Sequence, residues 1–168
     1  LALMQVYTQS DESRTIQYSC GVSLATNAYH NPLDPSSQTV NLMADELYGS
    51  VKWKLLTLDI GIKHRENDFI GASRELGSLS VTGGHLAETG NARSMPGYLL
   101  SLDPVALPWT REHLWLYGAY GDYMTMDDRH VEGALVHRMR VGLRYAATDR
   151  LSFDAVIDHY AMWAGHHP

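Results

Sequence analysis

The sequence has little of what several functional classes require. Its one cysteine, Cys20, allows no intrachain disulfide and no paired-cysteine metal site. No apolar run approaches the roughly 20 residues of a membrane-spanning helix. The formal net charge is -6, and no basic patch interrupts it, so nucleic acid is not expected as a partner. These absences exclude helical membrane proteins and nucleic-acid-binding proteins.

Catalytic motifs are also lacking. There is no nucleophile elbow, no phosphate-binding glycine loop and no dinucleotide fingerprint. Nine histidines are present, but they lack the spacing of a metal site, and we expect His137 and His159 to be lumenal or loop polar groups. Asp59, Asp154 and Asp158 are acids of the type that a glycosidase uses, although nothing in the sequence fixes their separation. We therefore predict no metal, no cofactor and no enzymatic activity.

What the sequence does contain is alternation with a period of two, the signature of β-strands with one apolar face. It is clearest over residues 15–26, where Ile16, Tyr18, Cys20, Val22 and Leu24 alternate with small or polar residues. The same pattern predicts a strand over 56–63, another over 113–124, and a hairpin that joins 138–145 to 151–158 through a short turn at Ala147-Thr148-Asp149.

Residues 40–53 allow two interpretations. They form a strand if the chain turns tightly at Lys54 and Leu55, or they belong to a helix over 43–56 that Asn41 caps. We favour the strand, because a helix would leave the strand over 56–63 without its neighbour. Between about 69 and 109 the pattern weakens into an irregular, loop-rich stretch, with extended fragments only around Leu76 and Tyr98.

The composition of the two faces favours a transmembrane barrel over a soluble sandwich. The residues opposite the apolar faces are small, hydroxylic or charged, as a wet lumen requires, and aromatic residues such as Trp53 and Tyr145 fall near strand ends. We predict an all-β fold, an antiparallel transmembrane β-barrel in one segment over residues 1–168, with about eight strands. The lumen-facing candidates are Asp59, Arg138, Arg140, Arg144 and Asp154.

Three short segments follow one another in the chain: Leu-Gly-Ser-Leu at 76–79, Gly-Gly at 83–84 and Asn-Ala-Arg-Ser-Met-Pro at 91–96. Together they resemble a stretch of the Wzi-like capsule-assembly family in its Bacteroidetes form, in which the position of Ser94 is normally proline. The likeness continues through residues 105–111, 127–129, 135–138 and 159–165, where Ala164 replaces a usual glycine. It covers roughly residues 40–168.

This resemblance implies a barrel in the bacterial outer membrane that takes part in capsule or surface-polysaccharide attachment by binding. It also implies that the chain is part of a larger barrel whose natural start and end lie elsewhere. The expected partners are surface polysaccharide and outer-membrane lipid, and whether other outer-membrane proteins are partners stays open. No catalytic residues are implied.

The candidate glycan-binding residues combine aromatic faces with planar hydrogen-bonding groups, the chemistry that sugar rings and acidic sugars need. We expect most of them on one loop, with Arg93 joining if its segment folds inward. They are Arg93, Tyr120, Tyr123, Asp127, Asp128, Arg129 and His130. Two alternatives stay open: a small complete porin or adhesin-type barrel, and a soluble antiparallel β enzyme that acts on carbohydrate.

Overall fold

The computed structural model describes residues 2–31, 34–63, 95–126, 133–148 and 150–165. These residues form one antiparallel sheet in which each strand pairs with the next along the chain, so that β1 and β8 are its two edges. The strands are β1 (Ala2–Gln9), β2 (Ile16–Asn31), β3 (Asp34–Trp53), β4 (Leu56–Ile62), β5 (Pro96–Ala106), β6 (Leu114–Met124), β7 (Leu135–Thr148) and β8 (Leu151–Trp163).

The predicted all-β class and antiparallel pairing are confirmed. The tight hairpin at Lys54 and Leu55 is present, with Trp53 directly opposite Leu56 and a left-handed φ of 55° at Lys54. The helix considered over residues 43–56 is wrong, because this stretch belongs to β3 and pairs with β2 on one side and β4 on the other. Two-sided pairing satisfies the backbone groups that a helix would have satisfied internally.

Two strands differ from the sequence prediction. Strand β1 was not predicted, and β5 extends over residues 96–106, where we expected only a short extended fragment around Tyr98 within an irregular stretch. Prolines at both ends of β5 concealed it: Pro96 begins the strand, and Pro104 sits where the register with β6 jumps from Leu102 to Val105. Proline is tolerated at such a bulge because no ladder hydrogen bond is needed there. The fragment around Leu76 lies outside the described residues.

The connections differ between the two ends of the sheet. At one end they comprise residues 10–15, 54–55, 107–113 and 149–150, and at the other 32–33, 63–95 and 125–134. The turn between β5 and β6 contains a short 3-10 helix, Pro108–Thr110, and the Thr110 hydroxyl donates to the Leu107 carbonyl at 2.7 Å. The longest connection, 63–95, is therefore at the end opposite the two-residue connections 54–55 and 149–150.

No helix among the described residues is both long enough and apolar enough to cross a membrane.

Glycines on one face of the sheet make room for tyrosine rings from neighbouring strands. A Cβ atom on Gly21 would lie 2.5 Å from Tyr48 and 2.6 Å from Tyr7, and one on Gly142 would overlap the ring of Tyr117. Each glycine stands directly opposite the tyrosine in the register. These rings therefore lie against the backbone of the next strand, where any side chain larger than hydrogen would displace them.

We expect Gly142→Ala to destabilise the protein by about 1 to 3 kcal/mol, because the new methyl group forces Tyr117 out of its position. Gly49→Ala is the matched control, since it also changes a glycine inside a strand but nothing lies within 4 Å of its added Cβ atom. The control should be neutral or slightly stabilising. Urea unfolding of the full-length protein measures both, and equal free energies of unfolding for the two variants would contradict this packing.

Candidate functional site

The usual distribution of burial is inverted in this sheet. Among the described residues only Ala25, Tyr123 and Ala134 are buried and apolar. The buried polar or charged residues are more numerous: Ser10, Ser23, Glu46, Ser50, Asp59, Thr125 and Arg138. Large apolar side chains are instead exposed: Ile157 is 70% exposed, whereas Ser23 is 0% exposed. The sheet thus offers apolar surface to its surroundings and packs polar side chains against one another.

The register assigns these two groups to opposite faces. We define the apolar face by the side that carries Val22, Val51, Leu58, Leu100, Val141 and Ile157, and the polar face by the side that carries Ser23, Ser50, Asp59, Arg140 and Asp158. Residues directly opposite in an antiparallel pair share a face, and the pairs Tyr18 with Val51 and Val141 with Ile157 show this. The apolar face is continuous from β1 to β8.

The apolar face forms a band that is displaced from strand to strand. The exposed apolar residues run from Ile16 to Leu24 on β2, around a centre at Cys20, and from Met139 to Tyr145 on β7, around a centre at Gly142. When the pairing is followed from β2 to β7, the residue level with Cys20 is His137. His137 is five residues from Gly142, the centre of the band on β7. Five strand-to-strand steps separate β2 from β7, so the band moves by about one residue per strand.

The polar face is held together by side-chain pairs between neighbouring strands. Arg140 Nε donates to Asp158 Oδ2 at 2.9 Å, and Arg144 Nε donates to Asp154 Oδ1 at 3.0 Å. The Tyr117 hydroxyl donates to the same Asp154 oxygen at 3.3 Å. Each of the two arginine–aspartate pairs joins residues directly opposite in the β7–β8 register. The two arginines and the two aspartates therefore neutralise one another next to the backbone.

Other side-chain pairs on the polar face lie along one strand or reach across an intervening strand. Lys63 contacts Asp59 at 2.7 Å, and its ammonium group lies 4.9 Å from the centre of the Tyr48 ring. On β1 the Tyr7 hydroxyl donates to Glu46 at 2.7 Å. The acids that we considered for glycosidase chemistry are thus paired with cations: Asp59 with Lys63, Asp154 with Arg144 and Asp158 with Arg140.

All five residues predicted to face a lumen lie on the polar face. Asp59 and Arg138 are buried there, and Arg140, Arg144 and Asp154 are partly buried. The guanidinium of Arg138 lies 5.5 Å from the centre of the Tyr160 ring. These five residues therefore share one face of the sheet, and that this face lines a lumen stays a prediction.

The two described members of the predicted glycan-binding set, Tyr120 and Tyr123, are not brought together. Tyr120 and Tyr123 lie within β6 and not on a loop, and they point to opposite faces. Tyr120 is 47% exposed on the apolar face, whereas Tyr123 is 3% exposed on the polar face. An odd separation along a strand always has this result. Arg93, Asp127, Asp128, Arg129 and His130 lie outside the described residues.

A polar cluster that the sequence did not predict lies on the apolar face. The Tyr98 hydroxyl donates to Asp122 Oδ2 at 2.5 Å, and His137 Nδ1 lies 2.9 Å from Asp122 Oδ1. The expectation that His137 and His159 are lumenal or loop groups is wrong, because both lie in strands on the apolar face. Their position along the strand was the available signal, because Asp122 is two residues from Tyr120 and from Met124, and His137 is two residues from Met139, so that each shares a face with these apolar residues.

The described residues include no group of three or more histidine, cysteine, aspartate or glutamate side chains arranged to hold a metal ion.

Removal of one partner from the pair of Arg140 and Asp158 should be costly, because both side chains are largely buried at 11% and 19% exposure. We expect Arg140→Met to destabilise by more than about 2 kcal/mol and the double variant Arg140→Met/Asp158→Leu to regain most of that loss. Lys52→Met is the control. Its partner Asp103 and Lys52 itself are each 39% exposed, so its effect should stay below about 1 kcal/mol. Equilibrium unfolding of the full-length protein tests this; a double variant less stable than Arg140→Met alone would contradict it.

No family model, no curated protein and no solved structure matches this chain.

Proposed function

We propose that this chain is a segment of a transmembrane β-barrel in the bacterial outer membrane, with more strands than these eight. Its apolar face contacts lipid and its polar face lines the lumen. The barrel takes part in the assembly or attachment of capsule or another surface polysaccharide, by binding glycan and without catalysis.

The inverted burial is the observation that carries this proposal. Exposed apolar side chains on every strand of one face form a surface far larger than the patches that water-soluble monomers tolerate. In a bilayer the same surface is stable, because the hydrocarbon replaces the missing apolar core. A soluble carbohydrate enzyme would need a second layer over this face.

The displacement of the apolar band supports the same conclusion. A shift of about one residue, roughly 3.4 Å, across a strand spacing of about 4.8 Å corresponds to a strand tilt of about 35° from the membrane normal. Transmembrane barrels have tilts of about 35 to 45°. Because a bilayer is flat and the strands are tilted, a lipid-facing band must move along successive strands in this way.

The ends of the sheet also fit. Outer-membrane barrels have short turns at one end and longer loops at the other, and the longest connection here, 63–95, is opposite the two-residue hairpin at 54–55. Strands β2 and β3 extend on that same side beyond the last pair that β3 makes with β4, Leu47 with Ile62. On the proposed orientation this extended hairpin reaches outward from the cell.

The assignment to surface polysaccharide is supported by the resemblance and by the chemistry of the polar face. Tyr7 is 50% exposed beside the Glu46 carboxylate. An aromatic face next to a hydrogen-bonding acid suits the apolar CH face and the hydroxyl groups of a sugar ring. Arg93, Asp127, Asp128, Arg129 and His130 stay candidates for further contacts with the glycan.

Fractionation of cells that express the full-length native protein tests the barrel. We expect recovery in the outer membrane and a band on an electrophoresis gel that shifts when the sample is heated, because folded barrels resist detergent. Cells that lack the protein should still synthesise polysaccharide but release it into the medium. A soluble protein with an unshifted band would refute the barrel, and unchanged polysaccharide retention would refute the attachment role alone.

Arginine substitutions at two neighbouring cross-strand pairs, one on each face of the sheet, test the orientation. Val22→Arg, on the proposed lipid face, should cost about 2 to 4 kcal/mol near the bilayer midplane. Gln5→Arg is the control at the same depth, because Gln5 pairs with Ser23 and is exposed on the polar face. Folding titrations in lipid vesicles measure both variants, and equal costs would be incompatible with the proposed orientation.

A further inference from the structure

The cluster on the apolar face is a closed hydrogen-bond network around one carboxylate. Asp122 accepts from Tyr98 and His137, and Trp163 lines the same cavity as Asp122. Tyr120 packs edge-on against His137, with ring centres 4.9 Å apart, and the His159 ring follows at 5.8 Å. Four strands, β5 to β8, therefore contribute to a polar group on a face that is otherwise apolar.

The position of the network on the sheet is defined by the register. Tyr98, Asp122 and His137 are directly opposite one another and level with Ala161 on β8. On β7 this row lies at His137, two residues beyond Met139, which is the exposed apolar residue nearest the end of the sheet that carries the longest connection. On β2 the same row falls at Cys20, the middle of the band, because the band is displaced between the two strands.

A charged carboxylate in the hydrocarbon of a bilayer carries a large free-energy penalty. The donors around Asp122 reduce that penalty but leave the carboxylate 18% exposed. It also lines an open cavity of about 390 Å³, whose other walls include Tyr98, Met124, Leu135 and Trp163. The walls of this cavity are mostly apolar with one carboxylate among them, a combination that suits the boundary between acyl chains and lipid headgroups.

We propose that the network of Tyr98, Asp122 and His137 binds the headgroup layer of the outer leaflet and sets the upper limit of the lipid-contacting surface at β7. This proposal rests on the proposed barrel. The hydrocarbon then contacts β7 only from Tyr145 to the row of His137. Those residues are eight positions apart, or about 27 Å along the strand and about 22 Å along the membrane normal at the tilt given above. Outer-membrane barrels have an apolar band of about 25 Å.

Two spin-labelled positions in one register row provide the test. One is the native Cys20 and the other is Ala161→Cys in a Cys20→Ser background, both in the full-length protein in phosphatidylcholine vesicles. Accessibility to oxygen and to a water-soluble nickel complex reports the depth of each label. We expect the Cys20 label deep in hydrocarbon, with at least a several-fold excess of oxygen over nickel accessibility, and the Ala161→Cys label at headgroup level with comparable accessibilities.

Asp122→Leu/His137→Leu then tests whether the network sets the limit. Loss of both polar groups should move the Ala161→Cys label toward the depth of the Cys20 label. The proposal is overturned if the Ala161→Cys label is already as deep as the Cys20 label, or if the double variant folds and leaves its depth unchanged. If both labels are fully accessible to the nickel complex, no bilayer covers the apolar face, and the proposed barrel itself fails.

Discussion

Continuous backbone pairing from β1 to β8 is the constraint on which the other features depend. Because successive side chains point to opposite faces and paired residues share a face, one register fixes the surroundings of every residue in the sheet. A slip of one residue in any strand would turn its arginines and aspartates toward the apolar face and its leucines toward the polar face. The inverted burial is thus a property of the register as a whole.

The charged pairs on the polar face protect that register. Arg140 with Asp158 and Arg144 with Asp154 each join residues directly opposite in β7 and β8. A slipped β8 would separate both pairs and leave charges without partners next to the backbone. Buried ion pairs add little to stability when compared with apolar replacements, so their main contribution here is to select one alignment of the strands.

Much of the sheet could be predicted from the sequence, and the exceptions have physical causes. Strands β2, β4, β7 and β8 alternate cleanly because each has one apolar and one polar side. In β5, Pro96 and Pro104 interrupt the pattern, and the adjacent Leu99 and Leu100 put apolar residues on both faces, so alternation gave no signal. The lumen-facing candidates were found on one face because phase along a strand depends only on parity. Tyr120 and Tyr123 were grouped by proximity in the sequence, and parity separates them.

The network around Asp122 could not be predicted from any single strand, because its depth depends on the accumulated displacement of five strand pairings. On β2 the same register row lies at Cys20, where hydrocarbon would exclude a carboxylate. On β7 it lies beyond Met139, where the exposed apolar residues end, and polar groups are tolerated there. A row of directly opposite residues is perpendicular to the strands, so on tilted strands it crosses a flat boundary between hydrocarbon and headgroups at one place. The polar groups of this row lie at that crossing.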